Sequence, residues 1–258
     1  MAAMAVLNDP GEDGATLTTT TPVVGEGPIS EANTPRLLIV EDHPLFRAAL
    51  IGVIGSEFPH AEVLQATSID GALDILAACD GIDLIMLDLS MPGTTGLLGA
   101  YRVRAAAPRS PLVIVSAHDD SRIIGGAIAL GISGYIPKST PKTELARLLR
   151  GILDGAVFLP KRLADAAAKG QAETRELLKP LGAMTAQQLR VLDMICRGLQ
   201  NKHIAYELDI SVTTVKVHVS EILRKLGVRS RTEAIIALSK LDFGKADHPP
   251  VSPPSDDS

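Results

Sequence analysis

Between residues 36 and 153, short and almost wholly apolar runs recur at Leu37 to Val40, Val63 to Leu64, Leu84 to Leu87, Leu112 to Val115 and Gly134 to Ile136. Runs of this length without polar alternation are expected of strands covered on both faces, as in a parallel sheet. The stretches between them are amphipathic and open on helix-start signals: Ser68 ahead of Ile69-Asp70, Asp120 ahead of Ser121, and Pro141 at a first helical position. Five strand-helix units in succession predict an α/β domain with a doubly wound, five-stranded parallel sheet.

After about Met184 the apolar spacing lengthens to that of helices. Thr185 with Gln188, and Ser230 with Glu233, stand at capping-box spacing; Ser211 is a third candidate cap, and Gly198 and Gly227 follow as stops. These signals predict four short helices at about 185–197, 201–208, 212–226 and 231–240, a second and smaller all-α domain. On the third helix Val215, Val219, Ile222 and Leu226 form one stripe, and Thr213, Val217, Ser220 and Arg224 form the opposite one. An aliphatic core-facing stripe backed by a short polar one, with Lys216 beside it, suits a helix that enters the DNA major groove and meets base edges and thymine methyls.

The flanks lack this periodicity. Residues 1–35, rich in Thr, Gly, Pro and acids, are expected to be a disordered tail, as are residues 243–258 with their Pro-Pro pairs. Residues 154–183, with Pro160, Gly170 and Pro180, read as a partly helical linker between a domain at 36–153 and one at 184–242. The net charge of -5 conceals a division: nine Lys/Arg stand against five Asp/Glu from Met184 to Lys240, whereas residues 1–35 hold five acids and no Lys or Arg. A locally basic segment in an acidic chain points to nucleic acid. Cys79 and Cys196 offer neither a disulfide framework nor metal-ligand spacing and are expected as buried thiols. No stretch reaches the roughly 18 consecutive apolar residues of a membrane span, and no signal segment opens the chain, so a cytoplasmic protein without membrane contact is expected.

Ligands of doubly wound sheets gather outside the carboxyl ends of the strands at the switch point, here between the first and third strands. Glu41 and Asp42 follow the first strand directly, and Asp88 ends the third. Three carboxylates in one crevice either raise a pKa or recruit a hard cation. Mg2+ fits, because it prefers oxygen donors and is commonly held by one or two carboxylates plus phosphate oxygens. Asp42, Asp88 and the Ser90 carbonyl are the expected direct ligands, with Glu41 acting through water. Ser116 and Lys138 end the fourth and fifth strands, where a hydroxyl donor and a compact cation would meet the oxygens of a transferring phosphoryl group. Asp88 is then the expected phospho-acceptor. Any one of these residues alone could be a cap or a surface charge; together, at four strand ends, they form a constellation. His43 and His118 are expected as rim residues without chemistry.

Glu41-Asp42, Asp88 with Met91-Pro92-Gly93, Ser116-Ala117 and the run Gly134 to Lys138 resemble the receiver domains of two-component response regulators across residues 36–153. Residues 184–236 resemble the LuxR-type helix-turn-helix of the NarL/FixJ group through Gly198 to Ala205, Thr214 to Val219 and Arg224 to Ala234. The resemblance implies a flavodoxin-like receiver phosphorylated on Asp88 by a sensor histidine kinase or a small phosphodonor. In it Ser116 shifts toward the phosphate and Tyr135 follows as the switch. It also implies that Lys216, Val217 and Ser220 face bases, and that the last helix pairs two output domains through Ile235, Ile236 and Leu238 in a homodimer. Thr213, Thr214, Lys202 and Arg224 complete the expected DNA face, with Lys225, Arg229 and Arg231 as further phosphate contacts. Gln187-Gln188, His203 and Ser220 depart from the family's usual residues at positions that bear on the DNA target.

Two other classes stay open here. A phosphohydrolase could use the same strand-end nucleophile, but no second acid is placed to activate water and no substrate-binding insertion is present, so no enzyme is expected. The other is a receiver that is never phosphorylated and mediates protein contacts only, with DNA binding constitutive; Glu41-Asp42, Ser116 and Lys138 speak against it.

Overall fold

The computed structural model describes residues 4–7, 34–91, 96–117, 121–160 and 174–239. Seven strands form one sheet: β1 (Met4–Leu7), β2 (Arg36–Val40), β3 (Glu62–Ala66), β4 (Leu84–Asp88), β5 (Leu112–Ser116), β6 (Gly134–Pro137) and β7 (Val157–Pro160). All pairings are parallel, in the order β1-β7-β6-β5-β4-β2-β3. Helices α1 (Pro44–Glu57), α2 (Ile69–Ala78), α3 (Gly96–Ala106), α4 (Ser121–Ala129) and α5 (Lys142–Leu153) connect them. Strand alternation divides the core in two. Leu37 and Ile39 of β2 join Leu50, Ile54, Leu145 and Leu149 under α1 and α5, whereas Leu38 and Val40 join Ala72, Leu97, Leu98 and Ile124 under α2, α3 and α4. Each fully buried aliphatic side chain contributes roughly 1.5–3 kcal/mol, and both faces of the sheet are covered, which is why the runs read as apolar without alternation.

Strands β2 to β6 are the five expected ones. Strand β7 is an addition, in a segment expected to be linker. Phe158 anchors it: its amide donates to Ser133 O at 3.0 Å, and its ring occupies the space above Gly151 of α5, 2.7 Å from where a Cβ would stand. Strand β1 corrects the expectation of disorder for its 4 residues, which pair with β7 because an edge strand leaves amides and carbonyls open to a partner. Residues 1–3, 8–33 and 243–258, with Asp120, Pro92, Gly93 and His118, lie outside the described residues. Ser68 caps α2 as expected, accepting from Gly71 N at 3.1 Å, while Pro141 is the N-cap residue of α5 and not its first helical residue.

The second domain follows a helical segment at 174–178 and a 3-10 helix at Lys179–Ala183. It comprises α6 (Ala186–Cys196), α7 (Asn201–Glu207), α8 (Val212–Leu226) and α9 (Arg231–Ser239). Thr185 and Gln188 close the predicted capping box at the start of α6, and Ser211 caps α8 by accepting from Thr214 N. Ser230 accepts from Glu233 N, but the Glu233 carboxylate turns to Arg229 N, so only half of the second box forms. Gly227 ends α8 at φ 69°, in the left-handed region that glycine adopts without steric cost. Val215 and Ile222 are fully buried with Val219 and Leu226 packed beside them, so the core stripe of α8 falls as predicted. Cys196 is buried and Cys79 partly so, both as thiols.

The two domains touch. Leu178, Leu181 and Met184 continue the apolar cluster of Leu97 and Leu98, so this part of the linker is packed into the molecule. Beside it Arg102 of α3, 5% exposed, pairs with Asp70 of α2 at 2.5 Å and with Asp193 of α6 at 3.4 Å, and Arg190 of α6 reaches Asp70 at 3.5 Å. Among the described residues, no helix is long and apolar enough to cross a membrane.

Candidate functional site

Parallel strands deliver their carboxyl ends to one edge of the sheet, and the register fixes which residues meet there. Val40 pairs with Leu87, and Asp88 with Val115, so Glu41, Asp88 and Ser116 emerge side by side. Ligand atoms of Glu41, Asp42, His43 and Asp88 lie within 4.8 Å of one another. Glu41 and Asp88 are almost fully buried, and Ser116 is 1% exposed. Lys138, whose amide donates to Ser116 O, sends its ammonium into the cluster. Its Nζ lies 3.0 Å from Asp88 Oδ2 and 2.7 Å from Glu41 Oε2, and 4.7 Å from the centre of the Phe46 ring. Burial by itself would depress this ammonium; the flanking Glu41 and Asp88 carboxylates outweigh it and hold Lys138 above the usual lysine range.

Asp88 Oδ1 accepts from Ser90 N at 3.0 Å, which orients the carboxylate from the following loop. His43 lies at the rim, with Nδ1 at 3.1 Å from both Glu41 Oε1 and Asp42 Oδ1. Glu41 Oε2 and Asp42 Oδ1 are buried with no aligned hydrogen-bond donor. Buried anionic oxygens of this kind, met from the side by the Lys138 ammonium at 2.7 Å and the His43 ring at 3.1 Å and converging with Asp88, are what a hard divalent cation satisfies, and the donor set fits magnesium. The structure thus brings together Glu41, Asp42, Asp88, Ser116 and Lys138 as predicted, with Ser90 beside them. Tyr135 of β6 pairs with Ile114 and is buried, 2% exposed. Sequence reasoning missed Arg47 and Phe46, on the first turn of α1. Arg47 Nη1 donates to Glu41 O at 2.8 Å, but nothing in its spacing distinguishes it from a surface arginine.

On the second domain Thr213, Thr214, Lys216, Val217, Ser220 and Arg224 all face outward from α8, and Lys202 outward from α7. Val217 is 58% exposed, unusual for an aliphatic residue amid polar neighbours. Arg224 forms a surface pair with Glu221 at 2.7 Å, which raises the guanidinium and lowers the carboxyl through their mutual hydrogen bond. Two expected phosphate contacts are engaged inside the domain instead. Lys225 donates to Ala183 O and Gln188 Oε1, both at 2.6 Å, and Arg231 donates to Leu199 O and Asn201 Oδ1. Each ties helices together, a role that periodicity does not separate from a solvent-facing cation. On α9, Ile236 is 64% exposed, but Leu238 is buried in the domain's own core and is not available for pairing.

Two family models match the chain: "Response regulator receiver domain" over residues 37–150 and "Bacterial regulatory proteins, luxR family" over residues 183–238. The chain is 43% identical to the glycerol metabolism activator of Pseudomonas putida over 216 residues, covering 81% of this chain and 96% of that protein. It is 34% identical to the nitrate/nitrite response regulator protein NarP of Escherichia coli over 206 residues, covering 80% and 95%. Among solved structures, the response regulator ChrA of a heme-sensing two-component system is similar at 30% identity over 79% of this chain and 96% of that one, with a TM-score of 0.41.

Proposed function

The chain belongs to the two-component response regulators of the NarL/FixJ group, transcription factors that join a receiver to a LuxR-type helix-turn-helix domain, and from that premise we propose that phosphoryl transfer to Asp88 controls how the output domain engages DNA. The observation that carries the reading is the Asp88 carboxylate, buried at the end of β4 with Lys138 Nζ at 3.0 Å and the Glu41-Asp42 pair alongside. A carboxylate oxygen of Asp88 attacks phosphorus, forming a P–O bond as the P–N bond to a kinase histidine, or the P–O bond of a small acyl phosphate, breaks. Lys138 moves from pairing two carboxylates to meeting a phosphoryl oxygen, and the Ser116 hydroxyl donates to another. Magnesium bound by Asp42, Asp88 and the Ser90 carbonyl, with Glu41 acting through water, would neutralise charge on the phosphoryl oxygens. Ser116 drawn toward the phosphate leaves room that Tyr135, on the neighbouring strand, is placed to sense. The output is binding by two copies to a two-fold DNA site, with Lys216, Val217 and Ser220 at bases and Lys202, Thr213, Thr214 and Arg224 beside them; the kinase and the DNA place this action in the cytoplasm.

Incubation with acetyl phosphate and magnesium tests the proposal, with wild type and Asp88→Asn compared by intact mass and light scattering. A phosphoryl adduct on wild type alone, with a shift toward dimer and tighter DNA binding, is the expected result. A second reading has one observation in its favour: Thr213, Lys216, Val217 and Ser220 of α8 are exposed even though the receiver and the output domain are in contact. Absence of an adduct, with unchanged DNA binding in both proteins, would replace the switch by a constitutive DNA-binding regulator whose receiver works through contacts.

A further inference from the structure

The backbone of the acid pair has a holder of its own. Glu41, Asp42 and His43 lie between the end of β2 and the start of α1, and their side chains supply most of the cluster. Glu41 N donates to Ala66 O at 3.0 Å, and His43 N donates to Glu41 Oε1 at 3.0 Å. The carbonyls of this span are held from the other side. Arg47 N donates to His43 O at 3.0 Å, and its guanidinium folds back so that Nη1 donates to Glu41 O at 2.8 Å and reaches Asp42 O at 3.4 Å. Among the described residues no other donor is seen on the Glu41 and Asp42 carbonyls. The guanidinium therefore grips the peptide bonds of the acid pair while leaving the carboxylate oxygens to the pocket.

We propose that Arg47 is a positioning residue for the cation of the phosphoryl-acceptor site, a step that rests on the function proposed above: by holding both carbonyls it aims the Glu41 and Asp42 side chains and keeps the acid loop pre-formed for magnesium. A loop already in its binding conformation does not lose that freedom when the cation arrives, and so binds more tightly. The guanidinium charge acts in the opposite sense, since a fixed cation near three carboxylates repels magnesium. Arg47→Met separates the two, because it removes the charge and the hydrogen bonds while keeping an apolar stem of similar length. Dominant repulsion would make magnesium bind more tightly in that variant; dominant positioning makes it bind more weakly. Positioning wins here, because Arg47 points at carbonyls and is partly solvated, which screens its charge, whereas a charged hydrogen bond to an otherwise unpartnered carbonyl shifts an equilibrium by about ten-fold or more.

The test is calorimetric titration of the full chain with magnesium chloride for wild type, Arg47→Met and Arg47→Lys, with the metal-free thermal midpoint as a check on folding. Arg47→Met is expected to raise the magnesium dissociation constant by about ten-fold. Arg47→Lys, which keeps a charged donor but on a shorter stem, should recover part of that loss. The magnesium concentration giving half-maximal phosphorylation by acetyl phosphate should rise by the same factor. Unchanged or tighter magnesium binding in Arg47→Met overturns the proposal, as does an equal loss in both variants that tracks a lowered midpoint. If Arg47→Met fails to fold, wild-type affinity in Arg47→Lys overturns it equally. Wild type that binds magnesium but takes up no phosphate would remove the phosphoryl switch and leave the Arg47 comparison standing.

Discussion

Two buried carboxylates, Glu41 and Asp88, share one ammonium, and the stability of the pocket depends on it. Because Lys138 is held above the ordinary lysine value of 10.5, it is charged in both the folded and the unfolded chain at neutral pH. Its contribution is therefore complete below that value and is lost only as pH rises through the raised folded value. Neutral-range pH changes should leave this contribution untouched. Lys138→Met reverses the situation: Glu41 and Asp88 become buried charges without a cation, at a cost of about 3 kcal/mol at pH 7. Urea denaturation at pH 7 should show this loss; a midpoint unchanged from wild type would mean that the ammonium is not what compensates the acids. At this scale the sequence was informative where position alone decides. Asp88, Ser116 and Lys138 were legible because a strand end in a doubly wound sheet is a functional address. Arg47, Lys225 and Arg231 were missed or misassigned because the direction in which an arginine or lysine turns is set by contacts that no local pattern encodes.

Helices were read from caps and stripes, and most of those signals are local enough to survive folding: Ser68, Thr185 and Ser211 each accept the amide expected of a cap. Strand β7 was not legible because its cause is nonlocal, the seating of Phe158 over Gly151 beyond the end of α5. The turn between α7 and α8 holds a different constraint. Asp209 adopts φ 51°, the one positive φ outside glycine among the described residues. A short polar side chain tolerates that region, whereas a β-branched one meets the backbone there. Asp209→Val should destabilise the output domain by roughly 1–2 kcal/mol, and Asp209→Gly by no more than about 0.5 kcal/mol in either direction. Thermal unfolding followed by circular dichroism would check both, and a Val variant as stable as wild type would show that this turn relaxes into another conformation. Since α7 and α8 meet through this turn, the Val variant should also lose DNA affinity, through the angle of α8 and not through any residue on its exposed face.

At the scale of the whole molecule, the receiver and the output domain meet through buried charge, and the reading face of α8 is left open. Arg102 is enclosed between Asp70 of its own domain and Asp193 of α6, while Thr213, Lys216, Val217 and Ser220 remain exposed. This contact therefore restrains where the output domain sits without covering what it reads. A buried ion pair is only weak evidence for stability as a pair, and removing Arg102 leaves Asp193 with only Arg197 at 3.9 Å and Asp70 with only Arg190 at 3.5 Å among the ion pairs described, so the cost stays below the roughly 3–5 kcal/mol of a buried charge left with no partner. Arg102→Met should consequently loosen the docking, seen as a larger radius of gyration in small-angle scattering. Combining Arg102→Met with Asp193→Leu removes the charges on both sides of the domain contact, leaving Asp70 to Arg190, and should recover part of the compact form, because well-packed apolar groups often replace a buried pair without loss. Affinity of the separated reading face for a single DNA half-site should stay within about two-fold across the series, since no residue of that face changes. An Arg102→Met protein as compact as wild type would mean that Leu178, Leu181 and Met184 hold the domains together by apolar packing alone, and that the charges add register to an interface that does not need them for strength.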